Sequence, residues 1–442
     1  MNKFKRLLKG SEVKKYFYNT SWMLGEKLST MGLAMVVSIF VARYLGSENY
    51  GILSYALSIS SLFAIATHMG LSGLAVRELV NNPNRQAELM GTIFGIKAFG
   101  AVIALIAYVS FIFITNTFGE EEFWVLLMVS ITILLKPFLI LEFWFESQVK
   151  AKYPSLVWGS SNILGSLIKI ILVATGASLI YFASISVITG IFVIVALIYF
   201  FRKESAHNLL EWRFNFSLAK KLLGQGWMIM LGAVFAMVYL KIDQVMLRWF
   251  GAVQDVGIYA VASKISEAWY FIPSIIVASL FPKLLELRKR SEEEFNKRLQ
   301  HLFDMLFCIA LFFAILVSIV AKPLMNFLYG DEFSGSAIVL SIHIWAGIFI
   351  SMRAAFSKWI LVEDAVAFSM FTQGAGAMTN IVLNLVFIPL YGGIGAALAT
   401  LISYAVASYF SLFFYKKTRV VFWIMSKSLI YPFRLSAKLF QS

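Results

Sequence analysis

The sequence has a single cysteine, few charged residues and few histidines. Cys308 lies in an apolar run, so disulfides and cysteine-based metal sites are excluded. Only 14% of the 442 residues are charged, whereas 60% are hydrophobic and the mean hydropathy is +0.79. Soluble domains are about half apolar. The composition therefore excludes an ordinary soluble domain and indicates a protein of the lipid bilayer.

Patterns that mark enzymes and metal sites are also missing. The four histidines show no metal-ligand spacing, and the sequence has no phosphate-binding glycine loop, nucleophile elbow or paired-carboxylate site. We therefore expect no metal, no cofactor and no catalytic residue. The formal charge of +14 suggests nucleic-acid binding in a soluble protein, but here the distribution of Lys and Arg explains it, so no nucleic-acid partner is expected.

What is abundant is long apolar sequence. A helix of about 20 apolar residues crosses a bilayer. Twelve stretches satisfy this condition, so we predict an all-α integral membrane protein with about 12 transmembrane helices. The predicted spans are 17–42, 48–69, 91–115, 123–145, 155–174, 178–200, 222–248, 256–281, 301–321, 336–361, 366–388 and 391–415.

The Lys and Arg residues fall almost entirely between alternate pairs of spans. In the loops and at the span ends, only Arg43, Arg248 and Lys322 lie on the opposite side from the rest. Short loops rich in Lys and Arg stay in the cytoplasm. We therefore predict a multi-pass protein of the cytoplasmic (inner) membrane with both termini in the cytoplasm. The basic N-terminus and the basic tail over 418–442 are expected to lie at the membrane surface.

A repeated motif divides the chain into two halves. Arg43-Tyr44-Leu45-Gly46 recurs as Arg248-Trp249-Phe250-Gly251, and Gly51 then aligns with Gly257. Six spans separate the copies, so the halves have the same orientation, as in parallel-repeat transporters. We predict six-helix halves over 1–215 and 216–417.

Ionisable residues inside the spans are the first candidates for a functional site. A charge at the bilayer centre costs roughly 2.5–3.5 kcal/mol, so these side chains should face water, the bundle interior or one another. Lys264 and Glu267 also fit a structural pair, and Lys97 and Lys136 also fit positions near an interface. The ten residues are Lys27, Lys97, Lys136, Lys169, Lys241, Lys264, Glu26, Glu142, Asp243 and Glu267.

Polar side chains at helical spacing extend this set. Asn162 and Lys169 share a face of span five, and Asn380 and Asn384 share a face of span eleven. Such stripes are typical of a hydrated interior, although interhelical hydrogen bonds are the alternative interpretation. We expect spans one, five, seven and eleven to line a cavity.

Several motifs resemble those of Wzx-type polysaccharide flippases, which transport O-antigen or capsule repeat units and belong to the multidrug/oligosaccharidyl-lipid/polysaccharide exporter superfamily. The resemblance extends over nearly the whole chain and rests on the order of the motifs. They are Arg43-Tyr-Leu-Gly46-x4-Gly51, Ile242-Asp243-Gln244-Val245-Met246-Leu247, Val256-Gly257-Ile258-Tyr259 and Asn384-x4-Pro389-x2-Gly392-x2-Gly395-Ala396-Ala397.

This resemblance implies a V-shaped bundle like that of the MATE multidrug exporters. It also implies transport of an undecaprenyl-pyrophosphate-linked glycan from the inner to the outer leaflet for surface polysaccharide biosynthesis, with glycosyltransferases and a polysaccharide polymerase as neighbouring partners. We expect substrate binding by Lys27, Lys169, Lys241, Asn162, Asn380 and Asn384, and coupling or charge balance by Glu26, Asp243 and Glu142. Asp243 is expected to neutralise Lys241 between cycles or to exchange a proton.

Two other functions remain open from the sequence. A multidrug or cation exporter of the same superfamily would need an acidic or aromatic cavity, whereas the span interior has more Lys than acids. A membrane glycan polymerase or ligase would need a sizeable outer loop, and the predicted outer loops, around 116–122 and 330–335, are short.

Overall fold

The computed structural model describes residues 11–115, 119–205, 208–363, 365–432 and 434. These residues form α-helices and short 3-10 turns, with no β-strand among them. Most of the basic N-terminal strip, part of the predicted outer loop around 116–122, His207 and the end of the tail lie outside them. We number the helices α1 Ser11–Ala64, α2 Ser72–Asn81, α3 Gln86–Thr115, α4 Glu120–Leu135, α5 Ile140–Ser147, α6 Lys152–Thr175, α7 Leu179–Glu204, α8 Phe216–Phe250, α9 Val253–Glu267, α10 Phe271–Arg290, α11 Glu292–Tyr329, α12 Ser336–His343, α13 Ala346–Val362, α14 Val366–Ser408 and α15 Arg419–Leu429.

Ten helical segments of the described chain are long and apolar enough to cross a membrane. Two of them are composite, because Gly46 interrupts α1 at φ 72° and Gly392 interrupts α14 at φ 54°. Glycine adopts these positive φ values without the steric cost that a side chain brings. Each interruption separates two segments of spanning length, which agrees with the twelve predicted spans.

Three predicted spans contain breaks that hydropathy alone does not reveal. Span four is interrupted by the 3-10 turn Lys136–Leu139, where Pro137 lacks a backbone N–H and cannot continue the α-helical ladder. Span eight divides between α9 and α10, and Pro273 lies in the first turn of α10, where N–H groups have no intrahelical acceptor. Span ten divides between α12 and α13.

The chain forms two compact units whose boundaries differ from the predicted division at 215. Unit 1 comprises the described residues up to Leu45 together with Ala56–Ala233, and unit 2 comprises Gly46–Tyr55 together with the described residues from Val234 onward. Each half of the sequence thus contributes one segment to the unit formed mainly by the other half. The core of unit 1 contains Leu71, Ile93, Phe145 and Phe201, and that of unit 2 contains Phe303, Phe307, Met352 and Phe356.

Close backbone contact holds the first part of α8 in unit 1. A side chain at Gly70, which has φ 65°, would collide with the carbonyl of Gly226, and Arg77 donates a hydrogen bond to Gln225 (3.1 Å). The connecting segment before α8 is also fixed. The Arg213 amide donates to the Ala87 carbonyl (3.3 Å), and the Asn215 side chain donates to Glu88 (2.6 Å).

Within unit 2, the segment Gly46–Tyr55 is held by hydrogen bonds to the Glu332 carboxylate and by close backbone contact between Gly51 and Gly257. Glu332 Oε1 accepts hydrogen bonds from the Ser47 amide (2.5 Å) and hydroxyl (2.8 Å), at the start of the second helix of α1. A side chain at Gly51 would collide with the Val253 carbonyl, and one at Gly257 would collide with the Ser47 carbonyl. The two glycines aligned by the sequence repeat therefore lie against each other.

The described part of the tail packs on unit 2. In α15, Val421, Ile424 and Met425 are buried in the same core cluster as α11. Asp304 of α11 accepts a hydrogen bond from Ser428 (2.8 Å). The sequence predicts only an interfacial tail, because its apolar run is too short to suggest a packed helix.

Candidate functional site

Asp243 is the centre of a buried polar network in unit 2. Its side chain is 2% exposed, and its carboxylate accepts three hydrogen bonds from neutral groups. Tyr259 donates from its hydroxyl (2.6 Å), Thr400 from its hydroxyl (2.5 Å) and Asn384 from its side-chain amide (2.6 Å). A charged carboxylate in a low-dielectric interior depends on such donors. No lysine or arginine of the described chain lies within ion-pair distance of it.

Two atoms beside Asp243 have no hydrogen-bond partner among the residues that the structure describes. Asn384 uses its amide to bridge Asp243 and Asn380 Oδ1 (3.1 Å), but its own carbonyl oxygen is unpaired, as is Nδ2 of Asn380. Both side chains are fully buried. A buried unpaired polar group costs about 1–3 kcal/mol. The network therefore retains unused hydrogen-bonding capacity next to the carboxylate.

A second set of polar groups adjoins the Tyr259 ring. His343 is buried, its ring packs edge-on against Tyr259 at 5.9 Å between centroids, and its Nδ1 lies 2.8 Å from the Ser266 hydroxyl. Ser266 in turn contacts the Tyr270 hydroxyl (3.3 Å). Helices α9 and α12 thus add polar groups that the sequence patterns do not point to.

Lys241 lies two residues before Asp243 but interacts with other charges. It is half-buried, and the nearby carboxylate of Glu267 attracts it whereas Lys264 repels it. Lys241, Lys264 and Glu267 form no ion pair within 4 Å in the described chain. In this conformation neutral donors surround Asp243 and it forms no ion pair with Lys241, so neutralisation of Lys241 between cycles stays a prediction. The structural pair suggested for Lys264 and Glu267 is not formed either.

Unit 1 holds a second group of charges on α3, α5 and the turn between α4 and α5. Glu142 accepts a hydrogen bond from the Trp158 indole (2.7 Å) and interacts electrostatically with Lys97 and Lys136. Lys97 is 3% exposed, and its ammonium lies 5.1 Å from the centre of the Phe143 ring. Protein therefore surrounds the Lys97 side chain, and its suggested position near an interface stays a prediction.

Lys136 lines a cavity of about 240 Å³ in unit 1. Most of the hydroxyls in its wall donate to carbonyls of their own helices, so their free lone pairs act as acceptors toward the cavity. Such a wall suits the Lys136 ammonium or water, and it is a poor environment for an anion. The hydroxyl residues concerned are Ser61, Thr132, Ser186 and Thr189.

The other predicted substrate contacts lie apart from these networks. Lys27 is exposed, and the adjacent Glu26 accepts a hydrogen bond from Thr30 (3.2 Å). Asn162 donates to the Trp158 carbonyl of its own helix (2.9 Å), which is a local contact, and Lys169 is half-exposed. The structure thus joins Asp243, Asn380 and Asn384 into one network in unit 2.

Sequence reasoning missed two of the three groups that donate to Asp243. Tyr259 lies in the motif Val256-Gly257-Ile258-Tyr259, but nothing in that motif indicates its partner. Thr400 is 157 residues from Asp243 and has no local signal at all. Among the described residues, no group of three or more His, Cys, Asp or Glu is placed to hold a metal ion.

Comparison with known proteins gives consistent relatives. Residues 17–288, more than half of the chain, match the family described as "Polysaccharide biosynthesis protein". The probable flippase AglR of Haloferax volcanii is 23% identical over 87% of this chain and 80% of its own length. The probable low-salt glycan biosynthesis flippase Agl15 of the same organism is 22% identical over 85% of this chain and 78% of its own.

Solved structures show the same fold. The lipid II flippase MurJ in an inward closed conformation has a TM-score of 0.70 at 17% identity, covering 93% of this chain and 92% of MurJ. The MATE multidrug transporter DinF-BH has a TM-score of 0.61 at 15% identity, covering 93% and 96%. The predicted MATE-like all-α fold is thereby confirmed. With this fold and with the family match over 17–288, the chain is a multi-pass membrane protein that belongs to the polysaccharide biosynthesis protein family.

Proposed function

We propose that this protein is a flippase that moves undecaprenyl-pyrophosphate-linked oligosaccharide repeat units from the inner to the outer leaflet of the cytoplasmic membrane. The product would enter surface polysaccharide assembly between glycosyltransferases and a polymerase. The family match and the two relatives named as flippases support a lipid-linked glycan as cargo. The undecaprenyl-pyrophosphate carrier follows from the resemblance to Wzx-type flippases.

One structural observation carries the proposal. Lys27 and Lys241 lie in membrane-spanning helices, and neither has an ion-pair partner within 4 Å in the described chain. An ammonium group at membrane depth is unfavourable unless water or an anion accompanies it. A pyrophosphate is an anion that would form charge-assisted hydrogen bonds with such groups. Lys169 is the third lysine that we assign to this role.

The amide side chains divide into two roles in this proposal. Asn380 and Asn384 are fully buried around Asp243, so we assign them to holding that carboxylate and not to contacting the glycan. Asn162 is half-buried and remains a candidate for contacting the head group. The lipid tail would stay in the hydrocarbon of the bilayer, so the side chains that bind the sugar would not contact the tail.

We assign the driving force to a proton gradient, coupled through Asp243, and to the membrane voltage. Asp243 has no cationic partner and lies beside an unpaired carbonyl oxygen, an arrangement that suits uptake and release of a proton. Glu26 and Glu142 balance the charges of Lys27 and of the Lys97–Lys136 pair. Each negative charge moved outward also gains roughly 2.3 kcal/mol per 100 mV of inside-negative potential.

The test uses proteoliposomes loaded with a fluorescent undecaprenyl-pyrophosphate-linked oligosaccharide. A charge-assisted hydrogen bond contributes about 1.5–3 kcal/mol, so Lys241→Ala should slow flipping by roughly 10- to 100-fold. Lys322→Ala, which removes an exposed lysine outside the predicted spans, is the matched control and should flip at the wild-type rate. Wild-type flipping by Lys241→Ala would remove this residue from the site, and no flipping by the wild type would refute the cargo.

A multidrug exporter is the second candidate, favoured by the MATE-like fold. A cationic drug would need an accessible acid, but Asp243 is buried and already accepts three hydrogen bonds. Rhodamine 6G uptake in the same proteoliposomes separates the two functions. We expect no transport of the dye, and dye transport at a rate above that of empty liposomes would favour the exporter.

A further inference from the structure

A groove of about 580 Å³ runs between α10 and α11, on unit 2. The two helices join at Ser291, whose hydroxyl accepts a hydrogen bond from the Glu294 amide (3.3 Å) and caps α11. Leu284, Leu287 and Leu302 are buried at the base of the groove. This site lies on the loop that the Lys and Arg pattern places in the cytoplasm, and none of the residues assigned to cargo lines it.

The rim of the groove is strongly basic. Lys297, Arg298 and His301 follow one face of α11 and are exposed. None of the three forms an ion pair or a side-chain hydrogen bond within the described chain. Lys283 adds a fourth basic group from α10, although it also contacts Glu286 (2.8 Å). Because Glu294 is the one acid in the lining, the groove carries a net positive charge.

Polarity changes along the groove in the direction of the membrane. The predicted span eight ends at residue 281, so Leu280 lies within it and Lys283 lies just beyond it. On α11, the predicted span nine begins at residue 301, so Met305 lies within it, and Arg298, seven residues or about 10 Å of helix away, lies before it. The predicted span ends therefore direct the apolar end of the groove toward the acyl chains and the basic end toward the headgroups.

We propose that this groove binds an anionic phospholipid of the cytoplasmic leaflet. The phosphate lies among Lys297, Arg298, His301 and Lys283, and an acyl chain follows Leu280 and Met305 into the bilayer. Basic pockets at the cytoplasmic side of transmembrane helices bind acidic lipid headgroups in this way. The site is separate from the proposed cargo lysines and does not depend on the identity of the cargo.

The lining favours a phospholipid over the glycan-bearing lipid. Sugars are recognised through hydrogen bonds from amide and hydroxyl side chains, and the described lining of this groove contains neither Asn, Gln, Ser nor Thr. The basic side chains of the groove would bind a phosphate diester, and its leucines would pack against hydrocarbon chains. Among its described residues the groove also has no aromatic side chain on which a sugar ring would stack.

The experiment measures lipid affinity on the purified full-length protein by native mass spectrometry. The probes are phosphatidylglycerol, phosphatidylcholine with the same chains, undecaprenyl phosphate and glycerol 3-phosphate. The test variant is Lys297→Gln with Arg298→Gln. The control is Lys220→Gln with Lys221→Gln, which removes two exposed lysines from the start of α8 on the same predicted side. Size-exclusion profiles verify that both variants are folded.

We expect phosphatidylglycerol to bind more tightly than phosphatidylcholine and glycerol 3-phosphate. Each cation near a membrane surface contributes roughly fivefold in affinity, so the test variant should lose roughly 25-fold for phosphatidylglycerol and the control less than twofold. Equal losses in both variants, or no preference for phosphatidylglycerol, would overturn the proposal. It would also be overturned if the test variant lost affinity for undecaprenyl phosphate alone, because the groove would then receive the cargo lipid.

Discussion

At the scale of single residues, the informative contrast is between Asp243 and the span lysines. Asp243 is buried and held by hydroxyl and amide donors, whereas Lys27 is exposed and Lys241 is half-buried. The same cost of burying charge acts on all three side chains. The acid is compensated inside the protein, and the two lysines have no ion-pair partner in the described chain. This difference is why we assign the lysines to an external anion and Asp243 to an internal step.

Asp243→Asn is expected to abolish coupled flipping and to leave the protein folded. Asparagine has the same shape and can still accept hydrogen bonds from Tyr259 and Thr400, but it cannot exchange a proton. Asp243→Ala, by contrast, removes the acceptor of three hydrogen bonds, although Asn384 still donates to Asn380 and the Tyr259 and Thr400 hydroxyls still contact each other (3.1 Å). It should lower the free energy of unfolding by about 1–3 kcal/mol for each group that is left unsatisfied.

Flipping rates and unfolding temperatures of the two variants, measured in parallel, distinguish these effects. Normal pH-driven flipping by Asp243→Asn would exclude Asp243 from proton coupling. If a sodium gradient sustains flipping of the wild-type protein with no pH gradient, the coupling ion is sodium instead of a proton.

At the scale of helices, glycine determines where the spans end and where they meet. Gly46 and Gly392 interrupt long helices with positive φ, and Gly51 and Gly257 allow backbones to touch. Without a hydrophobic driving force between helices in lipid, close packing of small residues is a main source of association. The end of the second span near Ser47 is therefore fixed by close backbone packing as well as by the Glu332 carboxylate.

Gly257→Ala is expected to destabilise unit 2. The added methyl group would collide with the Ser47 carbonyl, a backbone atom that moves only together with its helix. Overpacking of this kind costs about 1–3 kcal/mol. Gly335→Ala is the matched control, because its methyl group would meet Ile258 at an ordinary 3.6 Å. Thermal unfolding in detergent compares them, and equal unfolding temperatures would show that the Gly51–Gly257 contact is not constrained.

At the scale of the whole molecule, the distribution of Lys and Arg predicts which loops face the cytoplasm. Cys308 is the one native cysteine, so a Cys308→Ser background permits single-cysteine mapping. In intact cells, a membrane-impermeant maleimide should label Ser334→Cys, which is exposed in a predicted outer loop. Glu293→Cys, exposed in the predicted cytoplasmic loop between α10 and α11, should react only after permeabilisation. The reverse labelling would invert the predicted topology.

The number of spans, the fold class and the break at Gly46 could be predicted because hydropathy and a repeated local motif determine them. The breaks around Pro137 and between α12 and α13 could not be predicted, because the sequence stays apolar through these turns and hydropathy shows no interruption. Asn380 and Asn384 were placed correctly on one helical face, but their role around Asp243 depends on partners from distant helices. The assignment of Gly46–Tyr55 to unit 2 depends on backbone contacts, which leave no hydropathy signal.

The contact between Gly51 and Gly257 has a consequence for the origin of the chain. These glycines occupy equivalent positions of the duplicated motif, and each lies against the other's backbone. In a homodimer with two-fold symmetry, a residue meets its own counterpart only where the rotation axis passes. If the repeat predicted from the sequence arose by duplication of a six-helix gene, the product of that gene would have formed such a dimer, with this glycine beside the axis. Fusion of two copies would then have preserved an interface older than the present polypeptide.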